Sequence, residues 1–327
     1  MHNRIWLLLV LFATLDAAHA QVPTHPDLIY AQVGGQPLRL DLYLPTAPGA
    51  SRPLLIWVHG GGWSGGNRYP APGFAVGMRD VGFAVASVSY RLSGQAGLWG
   101  TESVIFPAQI HDVKAAIRWL RAHATDYGID GSRVGVWGSS AGGHLAALAG
   151  TSGNDPQLEG VVGVNLDQSS AVQAAVDYFG PTDIIQLTLD ITTPPGNIID
   201  HDAPNSPESR LIGFNQPGQG IGVLRANLAN LAPPFPEFVA RAIQVNPETW
   251  ADVDDPPMMI AHGSDDMSVP IGQSERLRDT LIALGHTPLY MRAEGAGHGS
   301  LPAVVQAQAR AFLQDQIGSP LLANGFE

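Results

Sequence analysis

No cysteine occurs anywhere in the 327 residues. Disulfides, thiolate metal sites and cysteine nucleophiles are therefore excluded, and stability must come from the core in any compartment. Positive charge is sparse: 17 Lys and Arg stand against 29 Asp and Glu, a formal net charge of −12. With no basic run and no interleaving of basic and aromatic residues, nucleic acid and an anionic membrane surface are not expected partners. The acidity itself reads as solubility. No apolar run approaches the roughly 20 residues that a membrane-spanning helix needs, so no membrane anchor is expected. H-E-x-x-H, the phosphate-binding loop and a strand-anchored G-x-G-x-x-G are all missing, which leaves no visible place for a metal or a nucleotide; no cofactor is expected.

What the chain does have is apolar residues, 45% of the total. They suffice for one large α/β domain or two small ones. Residues 1–20 read as a signal peptide rather than fold: Arg4 gives a positive start, 5–15 a short apolar stretch, and Ala18-His19-Ala20 a small-residue cleavage site. Cleavage near Ala20 predicts export to the periplasm or the medium. One folded domain is then expected over 21–317, with a flexible tail at 318–327.

Apolar runs bounded by turn residues recur at α/β spacing. Residues 38–44 alternate and predict an early antiparallel strand. Residues 54–58, 83–88, 134–137, 174–178, 258–261 and 288–292 predict buried parallel strands. Helical patterns lie at 106–124, where Ile110, Val113, Ile117 and Leu120 share a face, and at 273–284 and 303–317. The alternation predicts a mostly parallel, doubly wound sheet covered on both faces. Residues 187–249 break the pattern with many prolines and short apolar patches. They are too long for a loop and predict a cap inserted between strands 6 and 7, the runs at 174–178 and 258–261.

Gly138-Ser139-Ser140-Ala141-Gly142 is a G-x-S-x-G run between the apolar stretch at 133–137 and a small-residue helix beginning at Ala141. That is the setting of a nucleophile elbow. Glycines two before and two after the serine remove side chains that would strike the backbone of so sharp a turn. Ser64, in Gly62-Trp63-Ser64-Gly65-Gly66, fits the same expression, but loop follows it. Ser139 has Trp137 at the position where glycine is needed. Ser140 is therefore the candidate nucleophile.

Acyl transfer also needs a base, a group to orient the base, and donors for the oxyanion. In this architecture the order is serine, acid, histidine. His298, in Gly295-Ala296-Gly297-His298-Gly299 past the last strand, is the candidate base. His262 precedes the acid, and His144 reads as a packed residue of the helix after the elbow. For the acid, Asp265 and Asp266 both follow the strand at 258–261, and Asp183 is a third candidate whose other role would be helix capping. His59-Gly60-Gly61-Gly62-Trp63 follows the strand at 54–58; amides of Gly61 and Gly62, with that of Ala141, are the candidate oxyanion donors.

These runs, together with Ser89-Tyr90-Arg91-Leu92, residues 112–121, Tyr127-Gly128-Ile129-Asp130, Phe179-Gly180-Pro181-Thr182-Asp183, Ser206-Pro207-Glu208-Ser209 and Glu294-Gly295-Ala296-Gly297-His298, resemble the BD-FAE group of α/β-hydrolases over about residues 37–312. That group comprises feruloyl and acetylxylan esterases and lies close to the hormone-sensitive-lipase-like carboxylesterases. The resemblance implies the α/β-hydrolase fold. Its His-Gly-x-x-Asp-x-x-Val-Pro pattern implies Asp266 as the acid. Segment 212–246 departs by its length, and it would shape the acyl pocket. The resulting expectation is a secreted serine carboxylesterase acting on small or polysaccharide-borne acetyl, short-acyl or feruloyl esters. A lipase or sterol-ester hydrolase, with Phe214, Phe235, Phe238 and Leu224 lining a lipid pocket, is the alternative. A formamidase-like amidase and an inactive hydrolase-fold binding protein stand further off.

Overall fold

Six consecutive residues, 53–58, are buried, and their side chains go alternately to two separate cores. Leu54, Ile56 and Val58 enter one and Leu55 and Trp57 the other, as a strand covered on both faces requires. In the computed structural model, which describes residues 22–47, 51–95, 97–100, 103–191 and 198–318, this run is the third of eight strands. They are β1 (His25–Val33), β2 (Gln36–Tyr43), β3 (Arg52–Val58), β4 (Ala84–Val88), β5 (Ile129–Ser139), β6 (Ala174–Tyr178), β7 (Met258–Gly263) and β8 (Leu289–Ala293). The sheet order is β1-β2-β4-β3-β5-β6-β7-β8; β2 is antiparallel to both β1 and β4, and every other pairing is parallel.

Helix α1 (Ala108–Ala122) packs Ile110, Val113, Ile117 and Leu120 into the first core, and α2 (Ala141–Thr151) is buried along its whole length. The opposite core is closed by the last helix, Ala303–Ile317, through Val305, Ala309, Leu313 and Ile317. Gly135 permits this: a Cβ there would lie 2.7 Å from Ile317 Cδ1. Between β6 and β7 lie α3 (Pro207–Ile212), α4 (Ile221–Arg225) and α5 (Phe235–Gln244), the helices of the inserted segment. Two further helices follow, α6 (Gly272–Ala283) and α7 (Ala303–Ile317).

The expected strands and helices are present, with two differences. β1 has no counterpart in the sequence reading, because it is an edge strand with only Tyr30 and Ala31 buried, and its alternation is correspondingly faint. Its hairpin turn is Gly34-Gly35, both at positive φ, the geometry that a two-residue turn between twisted strands demands. β8 was expected to be buried, but it has one neighbour and is half exposed along most of its length. The expected signal peptide, and the expected tail apart from Gly318, lie outside the described residues. Among the described residues no helix is long and apolar enough to cross a membrane.

Candidate active site

β5 ends at Ser139, and α2 starts at Ala141 with no intervening loop. Ser140 alone makes the reversal, at φ 55° and ψ −126°, a conformation that side chains rarely adopt. Its N–H donates to Tyr178 O at 2.8 Å on the neighbouring strand. The glycines are sterically compulsory. A Cβ on Gly138 would lie 2.0 Å from Gly142 O, and one on Gly142 would lie 2.1 Å from Val58 O. The hydroxyl is thereby held above the C-terminal edge of the sheet.

The loops after β3, β6, β7 and β8 converge on the same edge. His298, carried between Gly295 and Gly299 at positive φ, places Nε2 3.0 Å from Ser140 Oγ and donates from Nδ1 to Asp266 Oδ2 at 2.7 Å. Asp266 Oδ1 accepts from the Ser268 and Val269 amides at 2.8 and 2.9 Å. Burial would raise the Asp266 carboxyl, but the hydrogen bonds and charge of His262 and His298 hold it well below the usual carboxylate range. Phe179, at φ 43°, sets its ring edge-on to His298 with centroids 4.7 Å apart.

Asp265 instead accepts from Ser264 Oγ at 2.7 Å, and Asp183 from the Ile185 amide and Asn246 Nδ2; neither meets a histidine. His262 is fully buried, with Nε2 2.9 Å from Val269 O and 3.3 Å from Asp266 Oδ2, so it backs the Asp266 carboxylate. Ser64 belongs to a turn folded back on Gly61 O, and no helix follows it within that loop.

In the loop after β3, Gly61 and Gly62 have φ of 118° and 56°, and a Cβ on Gly61 would lie 2.4 Å from Gly65 O. Among the described residues nothing accepts from the amides of Gly61, Gly62 or Ala141, and all three residues line the cavity that holds Ser140 and His298. That cavity has a volume of about 590 Å³. Trp57, Phe74, Tyr178 and Phe179 give it an aromatic wall. The sequence reading missed this wall, whose only signal is aromatics clustered where strands end. Also missed were His201 and Glu208 of the inserted segment. Both line the cavity, with His201 Nδ1 3.0 Å from Glu208 Oε1 and Nε2 3.0 Å from Ser268 O. Phe214, Phe235, Phe238 and Leu224, by contrast, pack on one another and on the core, and none lines the cavity.

Among the described residues no group of three or more His, Cys, Asp and Glu could hold a metal. The arrangement can draw a proton from a hydroxyl and hold it on an oriented imidazole beside free backbone donors, in a largely apolar pocket.

The BD-FAE family model matches residues 40–281. Esterase LipC of Mycobacterium tuberculosis is 31% identical over 267 residues, 78% of this chain and 54% of that protein. The chain spans about half the length of the curated relatives it matches. Among solved structures, a truncated carbohydrate esterase from gut microbiota is 29% identical with a TM-score of 0.72, covering 90% of this chain and 96% of that one. A bifunctional GH43-CE protein of Bacteroides eggerthii is 34% identical with a TM-score of 0.73, covering 90% of this chain and 38% of that one.

Proposed function

The chain belongs to the BD-FAE family of α/β-hydrolase-fold proteins, and from that premise we propose that it is a serine carboxylic-ester hydrolase in which Ser140 is the nucleophile. The observation that carries this reading is the run of contacts from Ser140 Oγ to His298 Nε2 at 3.0 Å and from His298 Nδ1 to Asp266 Oδ2 at 2.7 Å, opening into one cavity.

His298 takes the Ser140 proton as Oγ attacks the ester carbonyl. The tetrahedral oxyanion is received by the amides of Gly61, Gly62 and Ala141, from which nothing among the described residues accepts. His298 then passes its proton to the departing alkoxide, leaving an acyl-enzyme on Ser140. Water activated by the same ring releases the acid. Asp266 keeps the proton on Nδ1 and offsets the imidazolium; its depressed carboxyl stays ionised throughout.

Substrates are short-acyl or cinnamoyl esters, including those borne on polysaccharide. The aromatic wall supports a flat or small acyl group, and likeness to a carbohydrate esterase supports a sugar-borne ester. The lipase alternative loses its support, because the cap residues that would form a lipid pocket are used up in packing. We place the protein outside the cytoplasm on the pattern of residues 1–20.

The test is a panel of chromogenic esters from acetate to palmitate, with methyl ferulate and acetylated xylan. Ser140→Ala is expected to fold and to lose roughly 10⁴–10⁶ of kcat, whereas Ser64→Ala keeps most activity. The reverse pattern, or no ester cleaved by the unaltered protein, overturns the reading.

A further inference from the structure

His144 takes no part in the proton transfers above and does not line the cavity. It sits on α2 one turn past Ser140, fully buried, and its amide donates to Ser140 O at 3.0 Å. Its ring makes two hydrogen bonds to segments far away in sequence. Trp63 Nε1 donates to His144 Nδ1 at 3.1 Å, and His144 Nε2 meets Val245 O at 2.7 Å. An indole N–H can only donate and a carbonyl can only accept. The ring must therefore be neutral, with a lone pair on Nδ1 and the proton on Nε2. Burial, only partly opposed by the bond to Val245, pushes its pKa down to about 4, so it stays in that form at neutral pH.

What the ring holds is the residue next to the oxyanion glycines. Trp63 directly follows Gly62, is itself at φ 53°, and is buried. Its carbonyl accepts from the Ser93 amide at 2.8 Å, so main chain and side chain are both pinned. Val245, the other partner, lies just past α5 at the end of the inserted segment.

We propose that His144 is a positioning residue for the oxyanion site: through Trp63 it fixes the Gly61 and Gly62 amides, and through Val245 it ties their placement to the seating of the cap. This rests on the ester-hydrolase reading. Oxyanion donors act on the transition state more than on bound substrate, so loss of the clamp shows in kcat rather than in KM.

The experiment is steady-state hydrolysis of a short chromogenic ester by His144→Leu, His144→Gln, Trp63→Phe and the double variant Trp63→Phe/His144→Leu. His144→Leu is expected to lower kcat by roughly 10- to 100-fold, the range a displacement of about 1 Å produces, with KM changed by less than about threefold. His144→Gln, whose amide carries one acceptor and one donor, recovers most of the rate. Trp63→Phe loses a similar factor, and the double variant is no worse than either single change. Two results overturn the proposal: kcat unchanged in both His144→Leu and Trp63→Phe, or equal losses in the Leu and Gln variants. Should His144→Leu fail to fold, Trp63→Phe decides alone, and an unchanged kcat overturns the clamp. Inactivity of the unaltered protein would instead strike the ester-hydrolase reading, and the clamp would fall with it.

Discussion

Asp266 gathers two backbone amides and one imidazole N–H within 2.9 Å, with a second imidazole behind them at 3.3 Å. A carboxylate so surrounded has one oxygen fixed by the loop and the other committed to His298. An amide in its place would turn either an acceptor or a donor toward Nδ1, and only one of those preserves the tautomer. Asp266→Asn is therefore expected to cost about 10⁴ in kcat with little loss of fold. Asp265→Asn and Asp183→Asn, whose carboxylates bind serine, backbone and asparagine, should each cost less than about tenfold. A larger loss in Asp183→Asn would move the acid to the loop after β6. The glycines of the elbow make a second comparison. Gly142→Ala brings a Cβ to 2.1 Å from Val58 O, whereas a Cβ on Gly73 meets nothing within 4 Å. Overpacking of this kind costs up to about 3 kcal/mol or more, so Gly142→Ala is expected to lower Tm by about 5 °C or more. Gly73→Ala should stay near the parent, and similar melting curves for the two would contradict the steric account.

Several elements meet where the short turn Pro247–Thr249 joins the inserted segment to the sheet. Burial pushes the Glu248 carboxyl up to about 7; Asp183 and Asp190 nearby add to the rise, and Thr182 and Arg276 oppose it. The hydrogen bonds tell the same story. Thr182 Oγ1 lies 2.6 Å from Gln273 O and 3.0 Å from Glu248 Oε1, and its one proton cannot serve both acceptors. A protonated Glu248 resolves this by donating to Thr182. Because its folded pKa lies above the ordinary 4.5, the folded state holds the proton more tightly than the unfolded chain. That contribution is complete below the unfolded value and is lost as pH rises through about 7. Glu248→Gln keeps a donor and removes the titration. Its Tm relative to the parent is expected to climb between about pH 5 and pH 8; an offset independent of pH would refute the assignment. On the other side of β3, Arg91 in the loop after β4 binds the fully buried Asp112 of α1 through both guanidinium and backbone.

At the scale of the whole molecule, the inserted segment contributes one side of the cavity through Ile199, His201, Pro207 and Glu208. Part of its apolar surface turns inward: Phe214 sets its ring tilted against Phe238, centroids 4.8 Å apart, and packs on Phe235, and Leu224 is fully buried. A cap held by its own core, and rich in proline, gives a pocket of set size rather than a lid. An acyl chain that outgrows about 590 Å³ shared with the alcohol must leave methylenes in water. Each forgoes about 0.8 kcal/mol of burial. The expected profile of kcat/KM peaks between acetate and butyrate and falls at least about tenfold by C12. A maximum at palmitate, with activation at a lipid–water interface, would show that the cap opens.

The sequence alone determined the sheet class and most of its strands, because buried parallel strands leave short unbroken apolar runs bounded by turn residues. It determined the elbow as well, since only glycine at 138 and 142 tolerates carbonyls 2.0 and 2.1 Å from a Cβ. It also named Ser140, His298 and Asp266 as candidates, but it left Asp265 and Asp183 open on residue chemistry, with only the family pattern to choose between them. Which carboxylate meets His298 depends on how the loop 264–271 turns, and that is set by the contacts of Asp266 with Ser268, Val269 and His262. The edge strand β1, the aromatic wall, and the pairing of Trp63, His144 and Val245 likewise had no local signature. Each joins residues far apart in the chain, or faces solvent on one side, so only the packed tertiary structure brings them into being.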